Sequence, residues 1–544
     1  MSEELNDLSI AAAARLIERH ELSTLELTDA YLERIAALDD TLHAYITPIP
    51  DIAREQARRA QTEIMRGGAR GPMHGMPFAL KDIYDTRGIR TTGHSRLHAN
   101  RIPEADCVCA ERLLAAGGVL LGKLATHEFA TGGPAYDSPW PPARNPWRLD
   151  RFPGGSSSGA AAAVAAGLAP GALGSDTGGS IRLPAAFCGL AGLKPSYGRV
   201  PKRGVLPLSW TLDTCGPLAR TVEDCAIILQ VIAGHDPLDP SSSMRAVPDF
   251  RATLDDGVAG LRIGVVRHFY EGAEGADDET VAAMDAALAV LRAAGAEVVD
   301  VTLPSLEDYQ ACYRAIVLTE AFTLHAENLR NHPELFAAIT RYRILPGALI
   351  SGADYVAGLR FQRMLADTTV AAFDRVDALV TVTTLGPAPV QATMQADAGF
   401  STPPLTNPFN IAQLPAISVC NGFSALGLPL AMQVVGRPFD EAMALRVARA
   451  YERETVWHQQ RPQLTPGDGP MAPTSAEQIV NATIDPATTA AYTARLEQVG
   501  LHLDAASIAG VCEAMPHVEE MLARLPRARD YATNPSLIYG AIHN

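Results

Sequence analysis

The sequence predicts an α/β protein built on a mixed or parallel sheet, and three observations predict it. Short apolar runs of strand length alternate with amphipathic helical patterns along the chain. Of the 544 residues, 47% are hydrophobic and 19% charged, the balance of a globular chain with material for a large core. No period of about 20–50 residues recurs, which argues against a solenoid or a propeller.

Taken in order, Leu8, Ala12, Leu16 and Ile17, then Leu25, Leu27, Tyr31 and Ile35, recur at helical spacing. Ser23 and Thr24, ahead of Glu26, supply a capping start for the second helix. Strand candidates are Met76–Leu80, Val119–Leu121, Arg262–Val266, Glu297–Val301 and Ala378–Val382. They lie near helical patterns such as Asp106–Ala116 and Glu279–Ala294, where Val281, Met284, Leu288 and Leu291 share a face. The Pro- and Gly-rich segment 463–475 reads as a linker between a body of residues 1–462 and a tail of residues 476–544. In the tail, Asp485–Val499 and Ala505–Leu525 read as two helices joined at Gly500–Asp504, with a kink expected at Pro516. Ile508, Val511, Met515, Val518 and Leu522 form one apolar stripe. Two helices cannot bury two stripes alone, so the tail is expected to dock on the body or on a second subunit.

Composition narrows the partners. Lys and Arg number 45 against 61 Asp and Glu, a net charge of −16 that repels nucleic acid and acidic membranes. The first ten residues carry three acids and no base, unlike a secretory signal. The longest weakly polar run, Gly159–Gly174, is too short and too rich in Ala and Gly to cross a bilayer. Eight cysteines are sparse, and Cys107 and Cys109, the only close pair, lack further ligands at metal-binding spacing. The expectation is a cytoplasmic chain with reduced thiols, no metal and no cofactor.

Residues 153–205 stand apart. They begin Pro153-Gly154-Gly155-Ser156-Ser157-Ser158-Gly159, pass through an Ala/Gly helix candidate and reach Gly174-Ser175-Asp176-Thr177-Gly178-Gly179-Ser180-Ile181-Arg182. Glycine pairs let several N–H groups converge on one point, as an oxyanion site needs. A flexible linker fits poorly, because Ala160–Leu168 is helix-forming and Ile, Leu and Phe are interleaved. Gly155–Gly159 formally fits the G-x-S-x-G nucleophile elbow, but that elbow needs an apolar strand before it, and Asn145–Pro153 is polar. A third reading pairs two serines with a lysine. A Ser hydroxyl needs a base beside it, and a buried Lys whose pKa is lowered by desolvation can serve. Lys81, at the end of Gly75-Met76-Pro77-Phe78-Ala79-Leu80, is the candidate, although a Lys after a strand ordinarily marks a solvated end.

On these motifs, together with Ala185–Arg199, Leu414–Ser418 and Gly436–Asp440, the chain resembles the amidase signature family, serine hydrolases of amide bonds, from about Leu8 to Gln460. The resemblance implies a large mixed β-sheet covered by helices on both faces, with the tail as a small α-helical C-terminal domain. It implies Ser180 as nucleophile, Ser156 as the bridging serine at a cis Gly155–Ser156 peptide, and Lys81 as base. It further implies an oxyanion hole from the N–H groups of Thr177, Gly178, Gly179 and Ser180, an acyl pocket lined by Thr131, Gly132 and Gly133, and Arg343 near the substrate entrance. Asp176 and Arg182, flanking the nucleophile, are expected to form an ion pair that holds the loop.

Within the family the chain is similar to the A-type component of the aminoacyl-tRNA amidotransferase, which strips ammonia from glutamine. It departs where that component has an Asp-Ile-Phe-Thr segment, for here the stretch is Pro403-Pro404-Leu405-Thr406. The tail, Ala490–Tyr539, resembles the small helical partner subunit of some bacterial amidases, including those acting on carboxybiuret. Its ending, Asn534–Tyr539, suits an extended strip against the body. The expected function is hydrolysis of a carboxamide or urea-like C–N bond on a small-molecule substrate, in a homodimer. The alternative is a glutamine-amidase component of an amidotransferase complex, passing ammonia to a partner.

Overall fold

The computed structural model describes residues 5–272, 275–394, 397–465 and 484–527. Eleven strands make one mixed sheet, in the order β1-β3-β2-β4-β6-β5-β10-β11-β9-β7-β8. They are β1 Tyr45–Pro48, β2 Pro77–Lys81, β3 Val119–Leu124, β4 Gly171–Asp176, β5 Ala191–Lys194 and β6 Thr214–Ala219, followed by β7 Arg262–Val265, β8 Glu297–Asp300, β9 Ala378–Val382, β10 Ala416–Phe423 and β11 Pro429–Val435. Strand β2 runs parallel to β3 and β4, and β7 parallel to β8 and β9, while the strands between are antiparallel. Strands β2, β3, β4, β5, β6, β9 and β11 are buried at every position, so neither face of the sheet centre meets water. Helices cover both faces.

The local signals are side-chain caps. Ser9 accepts from the Ala12 N–H at the start of the Ile10–Glu18 helix, and Ser23 accepts from Leu25 and Glu26 to open Thr24–Leu42. Thr24 is thus the first helical residue and not a cap; its buried hydroxyl donates to the Ala57 carbonyl at 2.7 Å. In the first helix the buried face is Ile10, Ala11, Ala13 and Ile17, with Leu8, Ala12 and Leu16 half-buried. The Val108–Ala115 helix starts two residues later than its pattern suggested, because the Cys107 thiol caps it. Strand β3 runs on to Leu124, past the Gly122-Lys123 that ended the apolar run.

Two alignments place the site. Ala79 and Leu80 of β2 lie beside Ala172 and Leu173 of β4, which carries Lys81 and Ser175 to the same end of the sheet. On the other side of β4, Ser175 faces Cys215 and Asp176 faces Thr214 of β6. Between β3 and β4 the chain forms the Ser158–Ala165 helix, all eight residues of which are buried. A Cβ at Gly159 would strike the Ala44 and Ala125 backbones, so this helix enters the core only with minimal side chains.

The tail helices are Pro486–Gln498 and Ala505–Ala523, the latter continuous through Pro516. The second packs on the Leu306–Asn331 and Ala338–Ile344 helices, with Val511, Met515 and Val518 buried, and the first packs on the second. Arg330 Nε donates to the Val499 carbonyl at 3.0 Å and Arg341 Nε to Ser507 Oγ at 3.0 Å. Most of the linker, residues 466–475, and the strip 534–539 lie outside the described residues. Among the described residues no helix is long and apolar enough to cross a membrane.

Replacing Met515 by Asp puts a carboxylate into a fully buried site, at a cost of several kcal/mol. Limited proteolysis of Met515→Asp should cut within 466–525 while the rest of the chain keeps its parental resistance.

Candidate active site

Lys81 ends β2 with its side chain wholly buried. Its Nζ donates to three hydroxyls: Ser156 Oγ at 2.7 Å, Ser175 Oγ at 2.9 Å and Ser157 Oγ at 3.1 Å. Hydroxyls satisfy the amine without supplying a counter-charge, so burial dominates and lowers its pKa from 10.5 to about 7, with Asp213 and Asp176 opposing. A neutral amine is therefore available near neutrality. The strand-end solvation expected of an isolated Lys does not apply here.

The Gly155–Ser156 peptide is cis. A Cβ at Gly155 would run into the His127 ring, and one at Gly154, where φ is +85°, into Pro184. The His127 N–H donates to the Ser156 carbonyl at 3.0 Å, and its ring stacks on Phe152 with centroids 5.7 Å apart. Burial, then the nearby Lys81, lowers the His127 pKa to about 3, so it is neutral at physiological pH. Sequence reasoning missed this residue, since no motif surrounds it.

Ser180 follows the Asp176–Gly179 turn and is half-buried, and its carbonyl accepts from the Ser157 N–H at 3.3 Å. This bond ties the two serine segments together. The turn is organised by Asp176, whose Oδ1 takes the Gly179 N–H at 2.8 Å and whose Oδ2 takes those of Ile181 at 3.2 Å and Arg182 at 3.4 Å. The N–H of Gly179, expected to donate to an oxyanion, is thus bonded to the aspartate three residues earlier. Thr177, Gly178 and Ser180 are the remaining candidate donors. Thr177 is fixed through its hydroxyl, which donates to Asp213 Oδ1 at 2.7 Å. Gly178 lies under Tyr313, since a Cβ there would come within 2.6 Å of the tyrosine oxygen, and its carbonyl accepts from Thr406 Oγ1 at 2.6 Å.

Arg182 and Asp176 form a fully buried pair at 3.0 Å. The guanidinium also reaches Asn410 Oδ1 at 2.6 Å, Gln433 Oε1 at 3.0 Å and the Thr406 carbonyl at 3.1 Å. Burial pushes the Asp176 pKa up, but Arg182 outweighs it with Lys194 and Asn410 assisting, and holds the carboxyl at about 2. Thr131, Gly132 and Gly133 follow the Glu128–Ala130 turn and face the Ala338–Ile344 helix, with Cβ positions on Gly132 and Gly133 3.5–3.6 Å from Thr340 and Ile339. Arg343, on that helix, is half-buried, and its guanidinium lies 5.0 Å from the Phe400 ring centroid, with that of Arg314 4.8 Å from the same centroid.

A family model described as amidase matches residues 26–445. The chain belongs to the amidase family. Its relatives include the A-type component of the glutamyl-tRNA(Gln) amidotransferase of Geobacter metallireducens, 40% identical over 486 residues, covering 84% of this chain and 99% of that protein. Among solved structures it resembles a chain from a structure described as a vestigial protein complex that reveals the evolutionary origins of an s-triazine catabolic enzyme. The TM-score is 0.77 and the identity 32%, covering 84% of this chain and all of that one. The peptide amidase of Stenotrophomonas maltophilia superimposes with a TM-score of 0.73 at 33% identity, covering 84% of this chain and 98% of that enzyme.

Asp176→Ala leaves Arg182 charged and buried without its partner, which costs about 3–5 kcal/mol, so its chemical-denaturation midpoint should fall well below the parent's. In the parent, the contribution of the ionised Asp176 is present above its ordinary pKa of 3.8 and lost as pH falls through about 2.

Proposed function

We propose that this chain hydrolyses the C–N bond of a small carboxamide or urea-like substrate through Ser180, Ser156 and Lys81. The observation that carries this reading is a buried lysine of lowered pKa bonded to Ser156, in a chain of the amidase family. Neutral Lys81 takes the Ser156 proton as Ser156 takes that of Ser180, and the Ser180 oxygen attacks the carbonyl carbon. The resulting oxyanion is held by N–H groups of the 177–180 turn. Collapse breaks the C–N bond while Lys81 returns its proton through Ser156 to the leaving nitrogen. Water then adds to the acyl-enzyme by the same route, releasing the acid and Ser180. A missing oxyanion donor costs about 10²–10³ in rate.

Two features bear on the acyl group. In this reading Thr131, Gly132 and Gly133 line its pocket, and Arg314 and Arg343, both against Phe400, face it. Burial, then the like charge of Arg314, lowers the Arg343 pKa to about 9, with Tyr342, Tyr313 and Asp397 opposing, and an incoming carboxylate would add to the opposing charge. The favoured substrate therefore carries a carboxylate.

A second reading is supported by the relatives named as A-type components of an amidotransferase. In it the substrate is glutamine and the ammonia passes to a partner protein. The relatives back this second reading better than the first, and what speaks for the self-contained enzyme is the absence of an acid from Pro403–Thr406 and the tail docked on the chain's own helices.

Ammonia release by the purified chain from carboxylated and neutral amides, glutamine included, tests both readings. Turnover that Ser180→Ala abolishes supports the first; activity on glutamine alone, raised by a co-purifying protein, supports the second. Because the base acts when neutral, kcat/KM should rise with pH through about 7 as Lys81 loses its proton. Arg343→Met should raise KM for the carboxylated amide about tenfold or more, the worth of a charged hydrogen bond, and leave the neutral amide unaffected.

A further inference from the structure

A cavity of about 590 Å³ opens beside the sheet end, and neither Ser156 nor Ser180 lines it. Its walls are mainly apolar, with Tyr197, Val205, Leu206, Leu208, Trp210 and Leu238 contributing. At the mouth, Trp210 is 46% exposed and Leu238 74%. Ser175, Asp213 and Cys215 also line it, and Ser175 is the hydroxyl that accepts from Lys81 Nζ at 2.9 Å.

The charged groups around the cavity are already satisfied. Lys202 Nζ donates to the Trp210 carbonyl at 2.8 Å and to the Tyr197 hydroxyl at 3.2 Å. Asp213 accepts from Thr177 Oγ1 and from the N–H groups of Leu208 and Ser209. Arg203 pairs with Asp236 and Glu111, and Asp239 accepts from the Lys202 N–H and from Ser241. Among the described residues that line it, two cations, Lys202 and Arg203, stand with two carboxylates, Asp213 and Asp239, so the lining favours neither sign of ion. The volume falls within the roughly 300–1,000 Å³ typical of small-molecule sites, with an aromatic wall and a few polar groups to orient a ligand.

We propose that this cavity is a binding site for an uncharged aromatic small molecule, and that its occupancy is transmitted to Lys81 through Ser175. An aromatic ring seated over Ser175 excludes water from the layer beneath Lys81 and disfavours the charged amine further. The titratable groups facing Lys81 are Asp176 of β4, Asp213 and Cys215 at the start of β6, and His127 after β3. Asp176 and Asp213 keep their internal donors when the cavity fills, so the amine carries the change.

The coupling rests on the proposed role of Lys81, whereas binding does not, and the experiment separates the two. The full chain is titrated with 2-naphthol, and with 2-naphthoate as the anionic control, by calorimetry and thermal shift, in the parent and in Ser180→Ala. One-site binding of 2-naphthol with a raised Tm is expected in both proteins, at least tenfold weaker for 2-naphthoate. Leu206→Trp, which fills the cavity, should weaken binding at least tenfold. Trp210→Ala, at an exposed position that spares the core, should weaken it severalfold. Saturating 2-naphthol should move the midpoint of the acidic limb of kcat/KM downward by half a pH unit or more. Absence of saturable binding, equal binding of the anion, or indifference to both variants would overturn the site. Competition with the amide substrate would overturn it too, by placing the probe at the serines. Binding with an unmoved acidic limb would overturn the coupling.

Discussion

The buried Asp176–Arg182 pair is the contact through which the site is assembled. Its carboxylate gathers three N–H groups of the nucleophile turn, and its guanidinium reaches the 406–410 segment and β11, some 230–250 residues further along the chain. An ion pair in the interior ordinarily pays a desolvation cost close to its Coulombic gain. Here nearly every polar atom of both partners has a further hydrogen bond, which lets the pair persist with full occupancy of its donors. The position of Ser180 thus follows from a long-range network and not from the local glycine-rich sequence.

Three lysines are wholly buried at the sheet, and their surroundings divide their roles. Lys123 faces Asp82 at 3.4 Å and donates to the Tyr84 carbonyl and Thr91, so a counter-charge stands beside it. Lys194 donates to the Pro195 carbonyl, and burial, then the nearby Arg182, lowers its pKa to about 7. It touches no hydroxyl among its hydrogen-bond partners and has nothing to activate. Lys81 alone is surrounded by serine hydroxyls, of which Ser156 sits on the turn beside Ser180's segment. Burial lets a lysine shed its proton near neutrality and act as a free amine, but the neighbours decide whether it can act on anything.

Much of this was legible in the sequence, for physical reasons that also mark where legibility stopped. Ala378–Val382 is a strand with the bounds its apolar run suggested, because β-branched residues fill both faces of a buried strand. Strand β4, Gly171–Asp176, carries no such signal: its Gly, Ala and Ser side chains fit beside Ser157 and Leu218 by being small. Lys81, Ser156 and Ser180 stand in specific motifs and could be read directly. Ser175 could not, since its contact with Lys81 arises from the β2–β4 register, and neither could Ser157, which reaches Lys81 from the start of the Ser158–Ala165 helix. The Gly179 N–H, which the family resemblance offers as an oxyanion donor, already has a partner in Asp176. An Asp three residues upstream is the local sign that such an N–H is taken.

The Ser158–Ala165 helix has a consequence for how this protein can change over evolutionary time. A helix whose every residue is enclosed, and whose glycine abuts two backbones, is limited by volume at each site. Drift there is confined to exchanges among the smallest residues, whatever reaction the surrounding loops come to perform. Invariance along this stretch in a set of homologues would therefore record a shortage of space, and would separate poorly from the invariance imposed by chemistry at Ser156, just ahead of it.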